Sequence, residues 1–244
     1  MEMPPPYVLH PATGRQRPAL DLYLLTRKKD SRTTRNPARG KSSELQKPRI
    51  EPVLQEVTLR GRYVTLEPLR IEHSPELYPS AREEEIWEFF SMKVKAQEDL
   101  TRWIRKRIEA VKNGTALAFV QRDAKTGQAF GSTSLFEIDL GNRRAEIGHT
   151  WIGASHRRTA ANTEAKLLLF THAFDKLGCI RVQIKTAPEN LRSRKAIERL
   201  GAKYEGLFRN YMVYDDGTIH DRVIYCVIDK EWPEIRKRLE NFLA

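Results

Sequence analysis

The stretch from residue 143 to residue 187 narrows what this chain can fold into more than any other. "RRAEIGHTWIG" (143–153) has the texture of a strand. A basic loop of small residues follows, "HRRTAAN" (156–162). "NTEAKLLLFTHAFDKLG" (162–178) then puts Ala165, Leu168, Leu169, Ala173 and Leu177 on one helical face and ends at Gly178. "CIRVQIKTA" (179–187) alternates, with Ile180, Val182 and Ile184 on one side. Strand, loop, helix and strand in so short a span predict a β-α-β crossover, which joins parallel neighbours in a sheet.

The flanking segments predict antiparallel hairpins. "VTLRGRYVTLEPL" (57–69) alternates around Gly61 and reads as one strand. Ser74-Pro75 starts a helix in "SPELYPSAREEEIWEFF", and "AQEDLTRWIRKRIEAVKNG" (96–114) is amphipathic through Leu100, Trp103, Ile104, Ile108 and Val111, with Gly114 as its stop. Residues 115–139 read as two strands turning at Lys125-Thr126-Gly127, and residues 203–229 as a hairpin around Asp216-Gly217. "ENLRSRKAIERLGA" is a short helix closed by Gly201, and "KEWPEIRKRLENFL" a final one. The order β-α-α-β-β-β-α-β-α-β-β-α implies a mixed α/β (α+β) fold, a sheet with helices on its faces.

Composition sets the boundaries. The chain has 244 residues and a net charge of +11, of which residues 1–50 carry +7. Residues 1–50, with three consecutive prolines and the run "TRKKDSRTTRNPARGKSSELQKPR", read as a disordered basic arm; the apolar "ALDLYLLT" (19–26) is a candidate docking segment. Residues 55–244 form the single folded domain. The arm is either a solvated tail or a weak contact for nucleic acid or ribosome. No apolar run approaches the ~20 residues of a membrane span, and the start lacks a secretory pattern. Cys179 and Cys226 read as buried thiols in a reducing compartment. A cytoplasmic protein is the expectation, monomeric or homodimeric.

Arg157, Arg158, Thr159, Ala160, Ala161, Asn162 and Thr163 stand at a helix mouth. Unpaired N–H groups and the positive end of the macrodipole make such a mouth an anion cradle. The plain alternative is a loop whose arginines face water. Neither a nucleotide-hydrolase phosphate loop nor a G-x-G-x-x-G occurs.

The same segments, in this order and spacing, resemble consecutive core motifs of the GNAT superfamily of N-acetyltransferases. They are most similar to the RimJ/RimL-like branch, which acetylates N-terminal amines of ribosomal and other proteins. The resemblance covers roughly residues 55–230. It implies a mixed, mostly antiparallel sheet with a splayed strand pair, acetyl-CoA as donor and an amine as acceptor. The pyrophosphate would lie on the backbone of residues 157–163. The pantetheine would run between the strand ending at Trp151-Ile152 and the strand 179–186. Asn190 matches the asparagine near the pantetheine and Ser193 the hydroxyl near the sulfur. One departure stands out: the branch often reads R-R-T-G-x-N, and here the glycine is Ala160. If that position needs φ > 0, alanine costs on the order of 1 kcal/mol; if φ is helical, little.

Acetyl transfer needs a neutral amine, a polarised carbonyl and a stabilised thiolate. An α-amine of pKa about 8 needs only a weak base. Glu146 is the candidate, or else a surface carboxylate paired with Arg143 or Arg144. A backbone N–H near Trp151 or Ile152 would meet the oxyanion. Ser193 would hydrogen-bond the leaving thiol, or else pack with Ala196, Ile197 and Leu200. Tyr211 is a second hydroxyl, or a packing residue. Trp87, Phe89 and Phe90 follow the acidic "REEE"; in the family this region lines the acceptor mouth, and Trp87 and Phe90 are the substrate-side candidates, with core aromatics of the first helix as the alternative. His149, His156 and His172 have no ligand spacing, and no metal is expected. The rival to an enzyme is a non-catalytic protein of the same fold that binds nucleic acid or ribosome through its arm.

Overall fold

The computed structural model describes residues 54–244 and, before them, the backbone of two short strands, β1 (Tyr7–Leu9) and β2 (Gln16–Pro18), paired antiparallel. The rest of the basic arm, including residues 19–26, lies outside the described residues.

Eight strands form the sheet of the larger unit: β3 (Leu59–Arg60), β4 (Val64–Pro68), β5 (Leu117–Asp123), β6 (Ala129–Asp139), β7 (Arg144–Ile152), β8 (Arg181–Thr186), β9 (Lys203–Val213) and β10 (Ile219–Ile228). Their spatial order is β3-β4-β5-β6-β7-β8-β10-β9. Only β7 and β8 run parallel, joined by the crossover read from the sequence. The helices are α1 (Ser74–Ala81), α2 (Gln97–Lys112), α3 (Ala160–Thr171), α4 (Leu191–Leu200) and α5 (Trp232–Leu243).

Alternation along the strands builds a core on each face. Leu117, Phe119, Leu135, Ala145 and Ile147 pack with Ala165, Leu169 and Phe170 of α3 and Ile235 and Leu239 of α5. Their neighbours Ala118 and Val120 point the other way, toward Leu77 of α1 and Leu100, Trp103 and Ile104 of α2. Glu146, between Ala145 and Ile147, therefore faces the α1/α2 side. Cys179 and Cys226 are free and buried, and burial pushes their thiols up to about 11 and about 12.

Three elements differ from the expectation. The helix expected to run to Gly178 is α-helical only to Thr171 and continues as a π-helical turn over His172–Lys176. The strand expected across Gly61 is a tight hairpin, in which Leu59 pairs with Leu66 and Arg60 with Thr65. The Glu164 carboxylate of α3 makes the turn by accepting the N–H groups of Arg62, Tyr63 and Val64 at 2.7, 2.6 and 2.8 Å. An added Cβ at Gly61 would stand 2.3 Å from that carboxyl carbon, so a side chain there would push the carboxylate off its three donors. The first helix stops at Ala81, so the aromatics at 87–90 are not helical. The Trp87 indole donates to the Ala81 carbonyl at 2.6 Å and satisfies a helix-end acceptor.

Candidate active site

β7 and β8 pair only at Arg144–Arg181, Ala145–Val182 and Glu146–Gln183. Beyond Glu146 the two strands part: β7 continues against β6, and β8 against β10. β7 also bulges, since Ser132 pairs with Trp151 but Ser134 with Gly148, and His149 within the bulge has φ 50°. The parting leaves backbone edges of both strands without a strand partner.

Glu146 sits at the fork. Its side chain is 4% exposed and pairs with Lys185 Nζ at 2.7 Å. The Gln183 amide donates to the same oxygen, Oε2, at 2.9 Å. Oε1 has no hydrogen-bond partner among the described residues and faces Gly148, where a Cβ would stand 3.5 Å from it. Burial pushes the Glu146 carboxyl up to about 7, against the attraction of Lys185. Burial works against the Lys185 charge, but Glu146, Tyr211 and Glu137 outweigh it and hold the ammonium above its ordinary value. The surface pairing with Arg143 or Arg144 does not form. Arg143 donates to the Gly178 carbonyl, and Arg144 pairs with Asp139. Tyr211 accepts from Lys185 Nζ at 2.5 Å and so belongs to the Glu146 cluster.

The helix mouth is built by Thr159, the N-cap of α3, whose hydroxyl accepts from the Ala161 N–H at 3.3 Å and donates to the His156 carbonyl at 2.8 Å. The N–H groups of Ala160 and Asn162 have no acceptor within the helix. Asn162 Oδ1 is buried without a partner among the described residues. The left-handed residue of the loop is Arg158, at φ 60°, whereas Ala160 is the first residue of the helix. Alanine in the place of glycine is therefore unstrained. The two arginines differ in role. Arg157 is clamped by Glu83 at 2.7 Å and by Glu85, and donates to the Ile152 carbonyl at 3.1 Å, while Arg158 is exposed. Thr163 is buried and its hydroxyl accepts from Arg199 of α4 at 2.7 Å.

Asn190 caps α4 by accepting from the Ser193 N–H at 3.0 Å, which fixes Ser193 in the first turn. Trp151 is buried against Trp87 and Trp103, with ring centroids 5.7 and 6.4 Å away, and Ile152 pairs with Gly131. Of the substrate-side candidates, Trp87 is 1% exposed and belongs to this core, whereas Phe90 is half-buried at its edge. The three histidines lie in separate settings: His156 stacks on Phe130, and His149 lies 4.1 Å from the Phe136 ring.

Sequence reasoning missed Lys185, the Glu83/Glu85 clamp and Arg199. Lys185 had a signal. Arg181, Gln183 and Lys185 share the polar face of the alternating strand, and parallel pairing sets that face beside Glu146.

A family model described as acetyltransferase (GNAT) domain matches residues 64–203, more than half of the chain. The Bacillus subtilis protein named "Putative ribosomal N-acetyltransferase YdaF" is 39% identical over 106 residues, 43% of this chain and 57% of that protein. The chain spans about three fifths of the length of three of the curated relatives it matches. A solved GCN5-related N-acetyltransferase from Brucella melitensis is 32% identical, with TM-score 0.73, covering 79% of this chain and 88% of that one. A Salmonella typhimurium acetyl transferase described as modifying the N-terminal serine of ribosomal protein L7/L12 shares the fold at 19% identity and TM-score 0.62, over 70% of this chain and 99% of that one. Among the described residues no helix is long and apolar enough to cross a membrane.

Proposed function

The chain belongs to the acetyltransferase (GNAT) domain family, and from that membership we propose that it moves an acetyl group from acetyl-CoA to a primary amine held beside Glu146. The observation that carries this reading is a buried carboxylate, titrating near neutrality, at the point where β7 and β8 part. The residues present suit the cosubstrate: a helix mouth with unpaired N–H groups, the unpartnered Asn162 Oδ1 and open strand edges between mouth and fork. Bound acetyl-CoA would supply an activated carbonyl carbon and a thiolate leaving group.

The chain's own residues do the rest. The N–H groups at the start of α3 and the Arg158 guanidinium bind phosphate. Arg157, neutralised by Glu83 and Glu85, anchors the loop to the strand end. Asn190 orients Ser193, whose hydroxyl donates a hydrogen bond toward the departing sulfur. Glu146 Oε1 takes the proton from the amine. A base of pKa about 7 suits an α-amine of pKa about 8, because it is ionised in the range where the amine still needs it. Lys185 keeps the buried carboxyl from rising further.

The name of the Bacillus subtilis relative supports the N-terminal amine of a ribosomal polypeptide as acceptor. The non-catalytic alternative loses one of its supports, since the alanine at 160 sits in unstrained helix. The test is calorimetric binding of coenzyme A, followed by thiol release across a panel of amines. No binding at millimolar ligand, or equal thiol release by wild type and Glu146→Gln, would defeat the reading.

A further inference from the structure

A cavity of about 280 Å³ opens on the α2 side of the sheet, lined by Arg107 of α2, Ala118 of β5, Ser134, Phe136 and Glu137 of β6 and His149 of β7. It adjoins the fork. Glu137 on its wall reaches Lys185 Nζ at 3.4 Å, and that ammonium is the partner of Glu146. The Phe136 ring lies against Gly148, the residue in front of Glu146 Oε1.

Three buried polar atoms around this cavity have no partner among the described residues: Arg107 Nε, Ser134 Oγ and His149 Nδ1. Ser134 is 1% exposed. Buried polar atoms are ordinarily satisfied, and leaving one unmet is costly. Here three from three separate elements line one space. Arg107 has no carboxylate partner among the described residues, and its guanidinium lies over the Trp103 ring at 4.6 Å. Burial lowers Arg107 to about 10, which leaves it charged at neutral pH. Burial, then Arg107 and Lys185, hold His149 well below its ordinary value, so its ring is neutral. Glu137 is more than half exposed and turned to Lys185. The inner cavity thus presents one unpaired cation, one hydroxyl and one neutral imidazole.

From this convergence we propose that the cavity holds a carboxylate of the acceptor, with the acceptor's amine at Glu146. The substrate class is then an amine whose own residue carries a side-chain carboxylate: free glutamate or aspartate, or a polypeptide whose N-terminal residue is acidic. Polycationic amines are disfavoured, since they would bring positive charge to an unpaired Arg107. The proposal rests on the acetyl-transfer reading of the same site and names its specificity.

The test compares kcat/KM by thiol release for glutamate against glutamine, for peptides with N-terminal glutamate against N-terminal glutamine, and for spermidine. A charge-assisted hydrogen bond to Arg107 is worth about tenfold to a hundredfold in favour of the acid. Arg107→Met should bring that ratio toward one, and Arg107→Lys should restore part of it. Ser134→Ala should lower the ratio in a background less exposed to folding effects. Preference for the free acid names a small-molecule acceptor; preference for the peptide names a polypeptide. A wild-type ratio near one, a ratio unchanged in Arg107→Met, or spermidine as the fastest acceptor would overturn the proposal. Calorimetry with N-acetylglutamate and N-acetylglutamine separates the two readings without turnover. Acid-selective binding that depends on Arg107, with no thiol release from any amine, would defeat acetyl transfer and uphold the pocket. Transfer without acid preference would do the reverse.

Discussion

Replacing Lys185 by methionine should move the acidic limb of the pH–rate profile toward higher pH. Lys185 Nζ lies 2.7 Å from Glu146 Oε2, and the two side chains are 8% and 4% exposed. An opposite charge this close lowers a carboxyl by roughly 1–3 units. Glu146 titrates at about 7 with the cation present, so removing it sends the carboxyl to roughly 8–10. The base acts as carboxylate, hence the rate is lost as pH falls through its pKa. At about pH 7.5 most of the wild-type carboxyl is ionised. In the variant the ionised share, and with it kcat, falls roughly threefold at the small end of the range and more than a hundredfold at the large end. The loss should be recovered as pH rises, which a misplaced base would not permit. Methionine keeps the length of the stem, so packing changes little. The assay is thiol release at saturating donor and acceptor from about pH 5.5 to about 9.5. Glu146→Gln should lose the limb set by the carboxyl and keep only the one set by the amine itself, near its pKa of about 8. A limb in Lys185→Met that stays where the wild type has it would refute the argument that this ion pair sets the base.

Glu146→Gln should lower kcat by roughly a hundredfold or more near neutrality while leaving coenzyme A affinity close to wild type, by thiol release and calorimetry. Ser193→Ala should cost about 1–3 kcal/mol in the chemical step, one hydrogen bond to the leaving sulfur. Arg158→Ala should weaken coenzyme A by about 1–2 kcal/mol, whereas Ala160→Gly should leave it unchanged, because position 160 is helical; calorimetry on both variants checks this. Glu164→Ala strips the acceptor from three backbone N–H groups and should destabilise by about 3 kcal/mol or more in urea denaturation. Lys166 is buried with only the Thr150 hydroxyl on its ammonium among the described residues, and burial lowers it to about 7. Its folded pKa is depressed below the unfolded value of about 10.4, so the unfolded state binds more protons between the two and wild-type stability should rise with pH across that window. Lys166→Met should flatten the rise and stabilise the protein near pH 7 by several kcal/mol, on the order of 4.

Much of the fold was legible because the signals were local and periodic. The face of α3, carried on toward Gly178 by the π-helical turn His172–Lys176, the stop at Gly201 (both glycines in left-handed φ) and the hairpins at Gly127 and Gly217 are written within a few residues each. The hairpin at Gly61 was not. Alternation from Val57 to Leu69 reads the same whether the chain runs straight or folds back in register. What bends it is the carboxylate of Glu164, a hundred residues away in sequence. The end of α1 is a similar case, since the acceptor left at Ala81 is met by Trp87, a tertiary contact.

The site was legible as a list of residues and not as a circuit of charge. Glu146 and the helix mouth could be named from one strand and one loop, and the resemblance supplied Asn190 and Ser193. The partners that decide how those residues behave come from other segments. Lys185 meets Glu146 only because β7 and β8 are parallel and in register at Gln183. Arg157 and Arg158 are adjacent and chemically identical, yet Glu83 and Glu85 neutralise one and leave the other exposed. Ala160 looked like the weak point of the loop, but the left-handed turn falls two residues earlier, on Arg158, where a side chain in an unfavourable φ also carries the free charge. That strain gives a way to separate backbone from charge at the mouth. Arg158→Gly relieves the φ and removes the guanidinium, whereas Arg158→Asn tolerates the φ and removes only the charge. If phosphate is held chiefly by the α3 N–H groups, both variants keep most of the coenzyme A affinity. If the guanidinium dominates, both lose it equally. Glycine weaker than asparagine would mean that the loop's rigidity, rather than its charge, holds the anion.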